Sequence, residues 1–151
     1  MSRTIILEAE SDTLRLAQQI APVLRSGDVT LLEGPIGAGK TFFARAVIRA
    51  LAGAEIDVPS PTFSLVQVYE LPMVDIWHGD LYRLSDTSEI YELGLDEAFE
   101  NAICLIEWPD RLGALAPPDA LTLTFAAQAD HHTVQFSANG TWGERLAGFN
   151  G

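Results

Sequence analysis

Lysine and cysteine are almost absent from this chain. Among 151 residues the only lysine is Lys40 and the only cysteine is Cys104. A lone cysteine excludes an internal disulfide framework, and its apolar flanks predict a buried thiol rather than a reactive one. Bases are scarce as a class: nine Lys and Arg face 21 Asp and Glu, for a formal net charge of -12. Nucleic-acid binding draws most of its affinity from basic side chains on phosphates, so a chain this acidic repels a polyanion on average. Work near nucleic acid is therefore expected to run through a partner protein, although excess acid also serves plain solubility. Long apolar runs are missing too. The longest, Ala102-Ile103-Cys104-Leu105-Ile106, falls far below the roughly 20 residues of a membrane helix. Only Ile5-Ile6-Leu7 precedes Glu8, so no signal-peptide core stands at the start. These absences predict a cytoplasmic protein with no membrane contact. No repeat, low-complexity tract or Pro/Gly/Ser-rich linker marks a boundary, which predicts one domain over 1–151.

What is present builds an ordinary core, with 48% apolar residues. Thr4–Glu8 reads as a strand. Ser11 is the expected N-cap of a helix to about Leu24, with Leu14, Ala17, Ile20/Ala21 and Leu24 at helical spacing. Val29–Leu32 reads as a short buried strand, and Lys40–Ala52 as a helix with Phe43, Val47 and Leu51 on one face and Gly53 as its stop. Phe63–Glu70 and Met73–His78 read as strands about a Leu71-Pro72 turn, too tight for a crossover and so antiparallel. A short helix capped at Ser85 or Thr87 ends at Gly94, and Asp96–Phe99 adds a helical turn. Ala102–Ile106 is a wholly apolar strand ending in Glu107; Ala120–Phe125 and Thr133–Ser137 are two more strands. The tail from Gly140, with Trp142, Leu146 and Phe149, reads as a docking helical turn. Strand–helix alternation followed by hairpins predicts an α/β domain with a mixed, parallel plus antiparallel, sheet.

The chemistry concentrates in Gly34-Pro35-Ile36-Gly37-Ala38-Gly39-Lys40-Thr41, which meets G-x-x-x-x-G-K-[ST] at every fixed position and lies between a strand and a helix as that motif requires. Gly34 and Gly39 permit torsions and close approaches that a side chain blocks. Successive amides and the positive end of the following helix can wrap a β-phosphate. Lys40 can reach the β- and γ-phosphate oxygens, and the Thr41 hydroxyl can enter a Mg²⁺ shell. Gly34, Ile36, Gly37, Ala38, Gly39, Lys40, Thr41 and Phe42 are accordingly the candidate nucleotide contacts.

A phosphate loop also needs a carboxylate from a neighbouring strand to hold Mg²⁺ or its waters. Glu107, closing an apolar strand, and Asp80, closing Val74–His78-Gly79, both qualify; each also has an ordinary reading as a helix cap or solvated turn residue. Arg83 can offset γ-phosphate charge or pair with an acid. Trp108 can face a nucleotide base or belong to the core. His131-His132 lacks partners at metal-ligand spacing, and His78 reads as a core residue or one behind the site. With Lys40 the sole lysine, no N/T-K-x-D guanine element exists, and a protein-kinase strand lysine is excluded because the loop already uses it. Gly37-Ala38-Gly39 fails as G-x-G-x-x-G because position 42 is Phe42. ATP is favoured over GTP by elimination.

In chain order, Gly37-Ala38-Gly39-Lys40-Thr41, Ser60-Pro61-Thr62-Phe63, His78-Gly79-Asp80-Leu81-Tyr82-Arg83-Leu84, Leu93-Gly94 and Ile106-Glu107-Trp108-Pro109 resemble the TsaE (YjeE) family over about residues 5–125. The resemblance implies a three-layer P-loop NTPase-like fold. It implies ATP and Mg²⁺ as ligands, with Thr41, Glu107 and Asp80 around the metal and Lys40, Asp80 and Glu107 as the catalytic set. It further implies a Ser60–Phe63 switch in which Thr62 contacts nucleotide, and Trp108 close to the nucleotide. Implied partners are a TsaB–TsaD pair in which TsaD carries out threonylcarbamoyl transfer to tRNA, with this chain's ATP hydrolysis resetting the complex and tRNA held mainly by the others. Where the family usually has an acid and Leu, this chain has Pro35-Ile36; proline removes one amide from the outer loop. The motifs that carry the resemblance give the tail beyond about Ala126 no clear counterpart. Three readings therefore stand: an accessory ATPase, a small-molecule kinase and a nucleotide-gated binding module. Against the kinase, Thr87–Glu100 contains no base with which to build an arginine lid.

Overall fold

The computed structural model describes residues 2–61, 64–138 and 140–147. Its backbone is a seven-stranded mixed sheet. Strand β2 (Val29–Glu33) lies at the centre, parallel to β5 (Ile103–Glu107) on one side and to β6 (Leu121–Ala127) on the other. Beyond β5 come β4 (Asp75–Asp80), also parallel, and then β3 (Val66–Glu70), antiparallel across the expected tight turn. Beyond β6 come β7 (His132–Ser137) and β1 (Ser2–Leu7), both antiparallel to their neighbours, so the order is β1-β7-β6-β2-β5-β4-β3. The expected α/β class with a mixed sheet is what forms.

Burial explains the layering. Helices α1 (Glu10–Ile20) and α2 (Lys40–Ala52) cover one face, where Leu16, Ile20, Phe43 and Val47 meet Leu32, Leu105, Leu123, Phe125 and Phe136. Strand β5 is buried at all five positions, as a central parallel strand must be. Its opposite face, with Val29 and Leu31 of β2, meets Ile90 of α3 (Ser88–Leu93) and Leu95 and Ala98 of α4 (Leu95–Asn101). This third layer stops there. On β1, β7 and β6 the same face shows Thr4, Gln135 and Thr124 to solvent, a polar ladder that needs no cover. Cys104 is fully buried and its thiol is pushed up to about 12 by desolvation, which makes it inert.

Four local expectations need correction. Helix α1 begins at Glu10 rather than after Ser11, because the Asp12 carboxylate takes the Glu8 and Ala9 amides at 2.9 and 3.1 Å. With that start, Thr13, Leu16, Ala17 and Ile20 face the core and Leu14 stays exposed. Pro22 then tightens the last turn into a 3-10 segment, Ala21–Val23. Strand β3 begins at Val66, since Leu65 has a φ of 67° that no strand accommodates. Strand β4 begins at Asp75, leaving Met73 in solvent.

The tail does dock. In α5 (Trp142–Arg145), the Trp142 indole donates to the Asp119 carbonyl at 2.8 Å, while Arg145 pairs with Asp28 and donates to the Val23 carbonyl. Trp142 and Leu146 are buried; Phe149 lies outside the described residues.

Gly34 seats the phosphate loop on β6. Its φ is 137°, and a Cβ there would come within 2.4 Å of the Phe125 carbonyl oxygen, whereas a Cβ at Gly37 (φ 83°) would meet open space. Gly34→Ala should therefore cost about 3 kcal/mol or more through overpacking added to torsional strain. Gly37→Ala should cost only about 1 to 2 kcal/mol, from strain alone. Urea unfolding of the two variants measures the difference, and equal losses would mean the loop lifts freely off β6.

Candidate functional site

The parallel register of β2, β5 and β4 brings their carboxyl ends to one edge, where ligands of open α/β sheets bind. Asp80 lies directly opposite Glu107, and the phosphate loop leaves β2 beside them. Both acids are buried, as is Lys40. Glu107 is held from two sides: the Thr41 hydroxyl donates to Oε1 at 2.7 Å and His78 Nε2 lies 2.7 Å from Oε2. An Asp80 oxygen accepts the Tyr82 amide at 3.0 Å, which orients that carboxylate at the strand end.

Lys40 opens α2, whose N-cap Gly39 has the left-handed φ of 106° that lets the loop enter the helix. Its ammonium donates to the Gly34 carbonyl at 2.6 Å and stands 3.7 Å from the centroid of the Trp108 ring. The Tyr82 ring packs on Trp108 from another side, with centroids 4.8 Å apart. Trp108 takes a φ of 57°, a strained value for a large side chain, immediately after Glu107. Desolvation holds the Lys40 ammonium below its ordinary pKa, although Glu107, Asp80 and Asp110 pull the other way. Burial therefore outweighs the three carboxylates in setting the state of this ammonium.

These groups face a cleft of about 950 Å³. Ile36, Gly37, Gly39, Lys40, Thr41, Phe42, Asp80, Glu107 and Trp108 all line it, together with Tyr82 and Arg83. Gly34 and Ala38 sit behind the wall, Gly34 against β6 and Ala38 in the core. Thr62 and Phe63 lie outside the described residues, so the expected Ser60–Phe63 switch is described only at Ser60 and Pro61. The far wall carried no motif: Leu7–Glu10 and Thr13 from the β1–α1 junction, and Gln128–Asp130 with His131 and His132 from the β6–β7 turn. Only the sheet order, which sets β1 beside β7 and β7 beside β6, brings these two segments together. His131 pairs with Asp130 at 2.7 Å rather than with any metal-binding set.

The donors suit Mg²⁺ in a particular way. Among the described residues no three His, Cys, Asp or Glu side chains come together as a cage. What the edge offers is hard oxygen: the Thr41 hydroxyl, Glu107 Oε1 and the Asp80 carboxylate. Mg²⁺ is commonly bound this sparingly, by one or two protein oxygens, waters and substrate phosphates. The residues present therefore fit a metal that arrives with a polyphosphate.

Residues 7–135 match the model of the family described as threonylcarbamoyl adenosine biosynthesis protein TsaE, so the likeness runs past Ala126, where the resemblance read from the motifs ends. A relative from Rickettsia bellii, named tRNA threonylcarbamoyladenosine biosynthesis protein TsaE, is 44% identical over 112 residues, 74% of this chain and 78% of its own. The protein of that name from Bacillus subtilis is 36% identical over 137 residues, 89% of this chain and 85% of its own. The crystal structure of YdiB from Bacillus subtilis superposes with a TM-score of 0.80 at 27% identity, over 98% of this chain and 93% of that one.

Because Lys40 is the only lysine, its side-chain nitrogen gives a single NMR titration. Its midpoint should lie below that of a free lysine and move up when ADP is added, since a phosphate beside the ammonium favours the charged form. An unshifted midpoint in both states would contradict the desolvated geometry.

Proposed function

Because the chain belongs to the TsaE family, we propose that it acts in tRNA threonylcarbamoyladenosine biosynthesis as a Mg-ATP-binding accessory ATPase of a TsaB–TsaD complex. The observation that carries this reading is the convergence of Lys40, Thr41, Asp80 and Glu107 on one cleft at the carboxyl edge of the parallel strands. Loop amides and the α2 N-terminus bind the phosphates. Lys40 leaves the Gly34 carbonyl for the phosphate oxygens, and so places its charge where negative charge develops. Thr41 and Glu107 hold the cation, whose chemistry is to neutralise phosphate charge. Asp80, buried and oriented by the Tyr82 amide, orders water at the γ-phosphate. Trp108, freed of the ammonium, covers the nucleotide.

A second observation favours water as acceptor over a small molecule. The base-free stretch folds as α3 and α4, which pack under β5 on the opposite face of the sheet and contribute nothing to the cleft. No arginine lid of the kinase type comes from there. The net charge of -12 agrees with a protein that leaves tRNA to its partners. In this reading hydrolysis resets the complex between turnovers.

Phosphate release from Mg-ATP, measured with and without TsaB–TsaD, tests the proposal. Release should be slow alone, stimulated by the pair and abolished in Lys40→Ala. Asp80→Ala should keep nucleotide affinity and lose on the order of 100-fold or more in release, the usual worth of a positioned carboxylate. ATP binding without release under either condition would instead make the protein a nucleotide-gated module, and normal release by Asp80→Ala would remove that residue from the mechanism.

A further inference from the structure

The two oxygens of Glu107 have different partners, and the second partner is unusual. His78 sits on β4 between Ile76 and Asp80, on the face covered by α1 and α2, and is 0% exposed. Its Nε2 meets Glu107 Oε2 at 2.7 Å, while its Nδ1 is buried with no hydrogen-bond partner among the described residues. A carboxylate only accepts, so the proton lies on Nε2 and Nδ1 is a bare acceptor. An unsatisfied buried nitrogen is a cost, and an aliphatic residue would fill this place in the core without it. The one polar bond the imidazole does make goes to Glu107.

From this asymmetry we infer that His78 is a positioning residue for the metal-binding carboxylate. By holding Oε2 it stops the Glu107 carboxylate from turning, and so leaves Oε1 committed to Thr41 and to the cation's ligand shell. A single buried donor achieves what a second acceptor contact could not, because it fixes the plane of the carboxylate from the side opposite Thr41. Outer partners of ligating groups are worth about 10- to 100-fold in metal affinity. The inference rests on the nucleotide site proposed above and adds to it a residue that touches neither nucleotide nor metal.

The test is a titration of a fluorescent ADP analogue onto the intact chain, at increasing Mg²⁺ and again in EDTA. Wild type is compared with His78→Leu, which fills the volume without a donor, and His78→Gln, whose amide N–H has about the same reach. His78→Leu should need about 10- to 100-fold more Mg²⁺ for half-maximal tightening, with its affinity in EDTA unchanged. His78→Gln should stay close to wild type. Where leucine prevents folding, His78→Asn, with an amide too short to reach Glu107, takes its place. An unshifted Mg²⁺ requirement in the folded Leu or Asn variant, equal losses in the Gln variant, or an affinity that falls as much in EDTA as in Mg²⁺ would each overturn the inference. Those results would leave the nucleotide site standing; a wild-type chain that binds no nucleotide would sink both.

Discussion

Everything at the working edge of this molecule depends on one buried carboxylate. Glu107 ends a strand with no exposed position, and an ionised group taken out of water costs several kcal/mol unless it is paired. The surrounding structure meets that demand with two donors from different elements, Thr41 from the start of α2 and His78 from the middle of β4. Three segments far apart in the chain are thereby tied at one point. The same tie sets the geometry of the cleft: it fixes the first turn of α2 against the sheet, and Lys40 is the residue immediately before Thr41.

The second constraint is steric. The phosphate loop rests on β6 through Gly34 with no space for a side chain, so the loop's position is dictated by a strand some 90 residues later in sequence. On the other side of the ammonium, Trp108 and Tyr82 make an aromatic surface at the ends of β5 and β4. The charge on Lys40 is thus met directly by a carbonyl and a ring, with the Glu107, Asp80 and Asp110 carboxylates acting on it as well.

The central elements were legible in the sequence because their signals are local. An unbroken apolar run such as Ile103–Ile106 has one reasonable home, a central parallel strand, and the glycine pattern before Lys40 has one reasonable conformation. The boundaries were less legible where a side chain competed with the pattern. Ser11 looked like a cap, but Asp12 reaches back to two amides and so starts α1 earlier, and the face that packs on the sheet is Thr13, Leu16, Ala17 and Ile20, which leaves Leu14 outside. A left-handed Leu65 delays β3 for a reason no periodicity encodes. His78 was ambiguous for the same cause: an isolated histidine in an apolar strand shows its meaning only when the residue across the sheet is known.

By itself the sequence determined the phosphate loop, the helix it opens, the strand ending in Glu107 and the family to which the chain belongs. Those depend on short-range torsions, apolar period and residue types a few positions apart. Tertiary structure alone decided that Asp80 stands opposite Glu107, that His78 holds the oxygen Thr41 leaves, and that the β1–α1 junction and the β6–β7 turn close the far side of the cleft. These are consequences of strand order and register, which arise from the burial of whole sheet faces. A one-residue slip of β4 would move His78 and Asp80 to the other face without altering any local pattern.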